Sequence, residues 1–389
     1  MNRFSAPSGE FELTRYPEDS RDLLRAWDAA DEYVLRHLAG IDDDKPTDLS
    51  GNVVVVGDRW GALATALAAS RPVQISDSFL AQEATRANLA RNEADPDWVR
   101  LLSTRDAPPE RVDVLIVRVP KNLALLEDQL HRLAPGVHAD TVVVGTGMTT
   151  EIHTSTLKLF ERIIGPTRTS LAVRKARLIF ATPDPSLPRT ASPWPRSYAL
   201  PGDVGPGSGI VVTNHAGIFC GDRLDIGTRF LLRNLPRRTG RDRVVDLGCG
   251  NGVVGTAAML ANPRSDVLFV DESHQAVASA RATFQENLGS DAGAEFVVGD
   301  GLTDVPAESV DLVLNNPPFH THRATTEAIS WRMFAGSRTA LRPGGELWVI
   351  GNRHLGYHVK LRRLFGNCDI VASDPKFVVL RAVKRAVKK

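Results

Sequence analysis

Cysteine is scarce in this chain: Cys220, Cys249 and Cys368 are the only three in 389 residues, odd in number and far apart. That argues against a disulfide framework and for a reducing compartment. Net charge is nearly missing too. Lysine and arginine total 47 against 46 acidic residues, a formal charge of +1 with a pI near 7.8, so no global field draws the chain to polyanions and nucleic-acid affinity has to come from local patches. No apolar run is long enough to cross a bilayer, and the opening Met1-Asn-Arg-Phe-Ser-Ala-Pro7 has no apolar signal core. A cytoplasmic protein without membrane contact is expected. With 42% apolar and 24% charged residues over this length, the chain can fill two cores, and two domains are expected.

The most informative stretch is Asp311-Leu-Val-Leu-Asn-Asn-Pro-Pro-Phe-His320, an apolar strand followed at once by an amide, two prolines and an aromatic ring. Pro317 and Pro318 lack an N–H and fix φ, so they stop the strand and hold the carbonyls of Asn316 and Pro317 in one direction. Such a turn suits a nitrogen conjugated to a planar group. Acceptors aimed at its N–H groups direct the nitrogen towards an electrophile, while Phe319 stacks on the ring. On its own, the turn is equally a simple Asn-Pro closure of a strand.

What precedes it narrows the choice. Arg243-Val-Val-Asp-Leu-Gly-Cys-Gly-Asn-Gly252 is a β-branched strand, an acid and a glycine turn, followed by a helix-compatible run from Val253 to Leu260. Gly248, Gly250 and Gly252 let the backbone approach a ligand at the helix N-terminus, although a glycine turn alone also fits a dinucleotide. Asp246 precedes the turn on the strand, where its carboxylate can meet a cationic amino group. A second strand ends at Asp271, suited to ribose hydroxyls, and a third at Asp300, within reach of an adenine amino group. Cys249 is a small residue beside the ligand rather than a nucleophile. In this order the motifs resemble the class I S-adenosylmethionine-dependent methyltransferases, an α/β Rossmann-like fold.

The pattern occurs twice. Asn52 to Ala64 matches Arg243 to Gly255 as strand, glycine turn and helix, and Val73-Gln-Ile-Ser-Asp77 matches the strand ending at Asp271. Two tandem domains from a duplication follow, the N-terminal copy degenerate. Its turn is Gly57-Asp-Arg-Trp-Gly61 with no acid before it, and Asn-Pro-Pro-Phe has become Arg118-Val-Pro-Lys121. That copy is expected to bind no cofactor and to dock RNA instead, through Lys121, Arg118, Arg59 and the group Arg168, Arg174, Lys175 and Arg177. The expected boundaries are 1–180 for the degenerate domain, 181–209 for a connector holding seven of the 24 prolines, and 210–389 for the catalytic domain.

The run from His215 to Leu232, the glycine and Asn-Pro-Pro-Phe-His motifs, the stretch Asn352-Arg-His-Leu-Gly-Tyr-His358 and Lys376 to Leu380 are similar to the two-domain ribosomal RNA guanine-N2 methyltransferases. Trp27 to Tyr33 and the Asn352 stretch lie closer to the 23S-directed branch. The resemblance implies methyl transfer from S-adenosylmethionine to the exocyclic N2 of a guanine in ribosomal RNA, with 16S as the alternative target and naked RNA or a subunit as substrate. In this scheme the cofactor-binding set is Asp246, Gly248, Gly250, Gly252, Asp271, Asp300, Asn316 and Thr228, and the catalytic set is Asn316, Pro317, Pro318 and Phe319. Phe319 stacks on a flipped guanine, no metal is needed, and the protein is expected to be monomeric. His320 and His322 are expected to face solvent or RNA, and the tail Arg381 to Lys389 either touches RNA backbone or only solubilises. Protein-glutamine N5 methyl transfer and a non-catalytic RNA-binding role in ribosome assembly are the competing classes.

Overall fold

The computed structural model describes residues 2–19, 22–41, 45–318 and 323–386. The chain divides into two compact units, Met1–Trp194 and Pro195–Lys389. The division falls inside the stretch 181–209, whose later part is already folded into the second unit: Arg196–Ala199 pairs antiparallel with Val211–Asn214.

Each unit is built around a seven-stranded sheet, and the two sheets have the same strand order, 3-2-1-4-5-7-6. In the second unit the strands are, in chain order, Arg243–Leu247, Asp266–Asp271, Ala294–Val298, Val310–Asn315, Leu341–Asn352, Asp369–Ser373 and Phe377–Val383. In the first they are Val53–Val56, Val73–Ser76, Arg100–Ser103, Val112–Arg118, Val137–Met148, Thr167–Thr169 and Ala176–Ala181. Only the seventh strand runs antiparallel to its neighbours. The central strands are continuous β-branched and leucine runs because helices cover both faces; Val53, Val54, Val55 and Val56 are all buried. Strand order reverses between strands 1 and 4, so the crevice for a ligand opens at their carboxyl ends.

The repetition extends to side-chain hydrogen bonds. In the second unit Asn287 and Thr283, on the helix His274–Leu288, bond the backbone of Val211 and Thr213. In the first, Asn92 and Asn88 bond the backbone of Glu12 and Thr14 in the same way. Backbone register also corrects one expected correspondence. Gly57 N–H donates to Ile75 O at 3.0 Å and Gly248 N–H to Val270 O at 2.8 Å, which puts Ser76, not Asp77, at the place of Asp271.

The first unit keeps the architecture and fills the crevice. Strand pairing sets Val117 beside Val56 and Asn315 beside Leu247, so Arg118 stands where Asn316 stands. Its side chain is fully buried and meets Asp28 at 2.6 Å, Glu151 at 2.9 Å and Asp31 at 3.3 Å. Arg59 closes the cluster on Glu151 at 2.6 Å and Asp28 at 3.5 Å. Burial opposes the charge on Arg118, but Asp31, Asp28 and Glu151 outweigh it and keep the guanidinium protonated. Burial likewise opposes ionisation of Glu151, yet Arg118 and Arg59 hold its carboxyl at about 2. Asp58, in the glycine turn, accepts from Gly61 N–H at 3.0 Å and Ala64 N–H at 2.9 Å. These residues correct the phosphate-docking expectation for Arg118 and Arg59, which are spent inside the unit. Arg174 is paired with Glu32 at 2.8 Å and Arg168 lies over the Phe180 ring; Lys121 and Arg177 remain exposed.

Removing the cation leaves Asp28, Asp31 and Glu151 facing one another with only Arg59 to compensate. Arg118→Met is therefore expected to destabilise the first unit by about 3–5 kcal/mol. Urea denaturation of the full chain checks this; a change below about 1 kcal/mol would place the cluster with weak surface pairs.

Candidate functional site

In the second unit the same crevice is left open. The glycine turn follows strand 1, and positive φ at Gly248, Gly250 and Gly252 (71°, 53° and 73°) folds it back towards the helix Val253–Ala261. Two of these glycines differ in purpose. A Cβ on Gly252 would stand 2.6 Å from Ala280 Cα, so this position lets two helices approach, whereas a Cβ on Gly250 would meet nothing within 4 Å, which leaves room over the turn.

The three acids Asp246, Asp271 and Asp300 each have their own protein partner. Asp246 is buried on strand 1 and accepts from Gly255 N–H at 2.8 Å. Burial pushes its carboxyl up to about 8, the Gly255 bond pulling the other way and Asp271 adding repulsion. Nothing cationic compensates it among the described residues. Asp271, at the end of strand 2, accepts from Gly250 N–H and Ser273 N–H, both at 3.0 Å. Asp300, beyond strand 3, is held by Arg332 of the helix Arg323–Ala340, a partner that sequence spacing does not announce. Cys249 is buried and its thiol is pushed well above the ordinary value by burial, then by Asp271 and Asp246, which fits a packing residue and not a nucleophile.

At the end of strand 4, Asn315 donates to Leu247 O at 2.8 Å and ties the strand to the glycine turn. Asn316 follows. Its Nδ2 donates to Thr228 Oγ1 at 2.9 Å, and its Oδ1 is buried with no hydrogen-bond partner among the described residues. Pro317 is buried and Pro318 exposed. Phe319, His320 and His322 lie outside the described residues. Thr228 sits in the first turn of the helix Ile226–Arg233, capped by Asp225, whose carboxylate accepts from Thr228 N–H at 2.9 Å and from Thr228 Oγ1 at 3.2 Å.

Sequence reading had passed over Asp225, Asn214 and Asn251 as site residues. Asp225 is legible afterwards as an Asp-x-x-Thr helix start. Asn251 Nδ2 donates to Asn214 Oδ1 at 3.0 Å, joining the turn to the strand Val211–Asn214, and Asn214 Nδ2 is a buried donor without a partner. Among the described residues no group of three or more His, Cys, Asp or Glu is arranged to hold a metal ion, and no helix is long and apolar enough to cross a membrane. Arg381, expected in a free tail, belongs to strand 7 and pairs with Glu346 at 2.6 Å.

The arrangement thus offers an uncompensated acid, an open glycine turn, a spare acceptor on Asn316 and a spare donor on Asn214 around one crevice. These fit S-adenosylmethionine in kind, with a buried acid that no cation compensates and free space over the glycine turn.

Comparison with known proteins agrees in extent. The model of the RLMG N-terminal domain matches residues 1–185 and that of the methyltransferase small domain residues 209–381. A ribosomal RNA large subunit methyltransferase G of Streptomyces avermitilis is 72% identical over 381 residues, 98% of this chain and 99% of that one. Its counterpart from Aeromonas salmonicida is 47% identical over 375 residues, covering 96% and 97%. Among solved structures, a T. thermophilus 16S rRNA N2 methyltransferase in complex with AdoMet and guanosine covers 98% of this chain and 97% of its own with a TM-score of 0.74. Its sequence identity is 18%, so this likeness establishes the two-unit fold.

The buried acid sets a pH dependence. Asp246 has a folded value of about 8 against an unfolded carboxylate near 4, so the folded state keeps a proton that the unfolded chain releases. Its contribution to stability is therefore full below about pH 4 and lost as pH rises through about 8. Asp246→Asn removes that loss and keeps an acceptor for Gly255. At pH 8 the ligand-free variant is expected to melt a few degrees higher than the parent, while S-adenosylmethionine binding weakens about tenfold or more. Thermal melts with and without the cofactor test both directions.

Proposed function

The chain belongs to the family of the ribosomal RNA large subunit methyltransferases G, and from that premise we propose that it methylates the exocyclic N2 of a guanine in 23S ribosomal RNA. It is an S-adenosylmethionine-dependent ribosomal RNA methyltransferase; the choice of 23S and of N2, with naked RNA or a ribosomal subunit as substrate, and action as a cytoplasmic monomer, are the finer parts of the proposal. Asn316 Oδ1 carries it: a buried acceptor, held in place through its own Nδ2 and left without a donor, at the strand end beside the glycine turn.

S-adenosylmethionine supplies a methyl group on a sulfonium, already a good electrophile. The chain's own residues bind and orient. Asp246, the turn Gly248–Gly252 and Asp271 hold the cofactor, and Asp300 takes the adenine side with one oxygen still shared with Arg332. Asn316 Oδ1 and the Pro317 carbonyl accept from the exocyclic amine, and Phe319 stacks on the base. Guanine N2 conjugates its lone pair into the ring, so acceptors that turn both N–H bonds away from the sulfonium align that lone pair with the methyl carbon. Transfer breaks the sulfur–methyl bond and makes the nitrogen cationic and acidic, and loss of one proton to water then returns it to the neutral N-methyl amine. Pro318 has no N–H and stiffens the turn.

Labelled methyl from S-adenosylmethionine should appear as N2-methylguanosine in 23S RNA from a strain lacking the gene, offered naked and as intact subunits. Labelling of 16S RNA would keep the chemistry and move the target; labelling of protein, or no labelling, would sink the proposal in favour of glutamine methylation or an assembly role. Asn316→Ala should lower kcat by about 10²–10³ with cofactor affinity within about threefold, the spread expected of a residue acting on the nucleophile. A parallel loss of cofactor affinity would assign Asn316 to cofactor binding instead.

A further inference from the structure

Resting on the role just given to Asn316, we propose that Asp225 and Thr228 form a relay that sets which end of the Asn316 amide faces the substrate. Asp225, when ionised, can only accept hydrogen bonds. Two donors of Thr228 converge on its Oδ2, the backbone N–H at 2.9 Å and the hydroxyl at 3.2 Å. The hydroxyl has one hydrogen, and this bond uses it. Towards Asn316 the Thr228 oxygen therefore presents lone pairs, which accept from Nδ2 at 2.9 Å. The reversed amide would set Oδ1 against those lone pairs with no hydrogen between them. The orientation is fixed by donor counting, and its product is the buried, unpaired Oδ1.

That directionality matters for the reaction. With the amide reversed, Nδ2 would face the substrate amine, donor against donor, and the lone pair on guanine N2 would be drawn towards Asn316 and away from the methyl carbon. Asp225 and Thr228 are thus positioning residues, acting on the nucleophile through Asn316. The first unit gives independent support for the coupling of these positions. There Asp28 caps the corresponding helix, Ala29–Leu38, and Asp31 lies three residues on, as Thr228 does from Asp225. The residue in Asn316's place, Arg118, pairs with both. A cation at the strand end is matched with acids in that helical turn; an amide that must keep its oxygen free is matched with a hydroxyl whose hydrogen is already taken.

Thr228→Val keeps the shape and the backbone cap and removes the relay, and Thr228→Ser restores it. Kinetics on ribosomal RNA, binding of S-adenosylhomocysteine and thermal melts would be measured for the parent, both variants, Asn316→Ala and the double variant Thr228→Val/Asn316→Ala. Thr228→Val is expected to lower kcat by about tenfold to a hundredfold, with S-adenosylhomocysteine affinity and melting temperature nearly those of the parent and with Ser recovering most of the rate. In the Asn316→Ala background the same change should cost about twofold or less, because the relay has lost what it acts on. An equal cost in both backgrounds, or a loss of S-adenosylhomocysteine affinity matching the loss of rate, would overturn the relay and make Thr228 a direct cofactor contact. Undiminished activity in Asn316→Ala would instead reject the role of Asn316 itself, which keeps the two failures apart.

Discussion

The side chain where the fourth strand ends, Asn316 in one unit and Arg118 in the other, together with its partner in the first turn of the helix that precedes the first strand, decides what each half of this chain can do. Both halves place that side chain at the point where strand order reverses, and both must match its hydrogen-bonding groups there. In the second unit the match is partial: Asn316 donates to Thr228 and its oxygen is left over. In the first, three carboxylates surround Arg118 and a second arginine completes the cluster. One architecture yields a site or a plug according to whether the local polar inventory closes.

Energetics explain why the open version is found only where a ligand can complete it. A buried acceptor without a donor costs about 1–3 kcal/mol, and an acid such as Asp246, raised to about 8 by burial, is a further cost to the free protein. The first unit has no acid at that place on its strand, although burial still raises Asp31 to about 7 and Asp58 above the usual carboxylate range. Its counterpart on the strand is the apolar Val55, and the carboxylate that caps the following helix now comes from Asp58 in the turn, bonded to two backbone amides. Ala64 N–H and Gly255 N–H, at matching places in their helices, are each satisfied, from different directions of the chain. The helix cap survives in both halves because folding requires it; the solvent-starved acid on the strand survives only where a cation is to be bound.

Much of this was legible in the sequence. Glycine spacing and the Asn-Pro-Pro turn announce backbone geometry that few residues permit, and the buried strands announce themselves as unbroken β-branched runs, so fold, duplication and the places of Asp246, Asp271 and Asn316 followed. Partner choice among charges did not. Arg118 and Arg59 looked available for phosphate because their counter-ions, Asp28 and Glu151, lie up to 92 residues away in sequence; Arg332 on Asp300 is the same case. The one-residue slip at Ser76 arose because an acid, Asp77, follows immediately, and only the backbone bonds to Ile75 and Val270 set the register. Asp225 is legible as a helix start, yet its effect on Asn316 passes through a hydroxyl hydrogen that no pattern of residue types reveals.

The paired substitutions also limit how one state can change into the other. An arginine placed at the end of strand 4 opposite Thr228 would be buried with a single carboxylate, Asp225, in that helical turn, and an asparagine in place of Arg118 would leave three acids with only Arg59 to compensate. Either single step incurs the penalty of a buried, poorly matched charge, about 3–5 kcal/mol, against a total stability of about 5–15 kcal/mol for a domain. The Asn287 and Asn92 bonds to the flanking strand face no such choice, since they serve the fold in both halves, and there the residue is the same. Divergence has therefore concentrated where pairing is coupled: once strand end, helix turn and glycine turn change together, the crevice is sealed by ion pairs, and no single substitution reopens it.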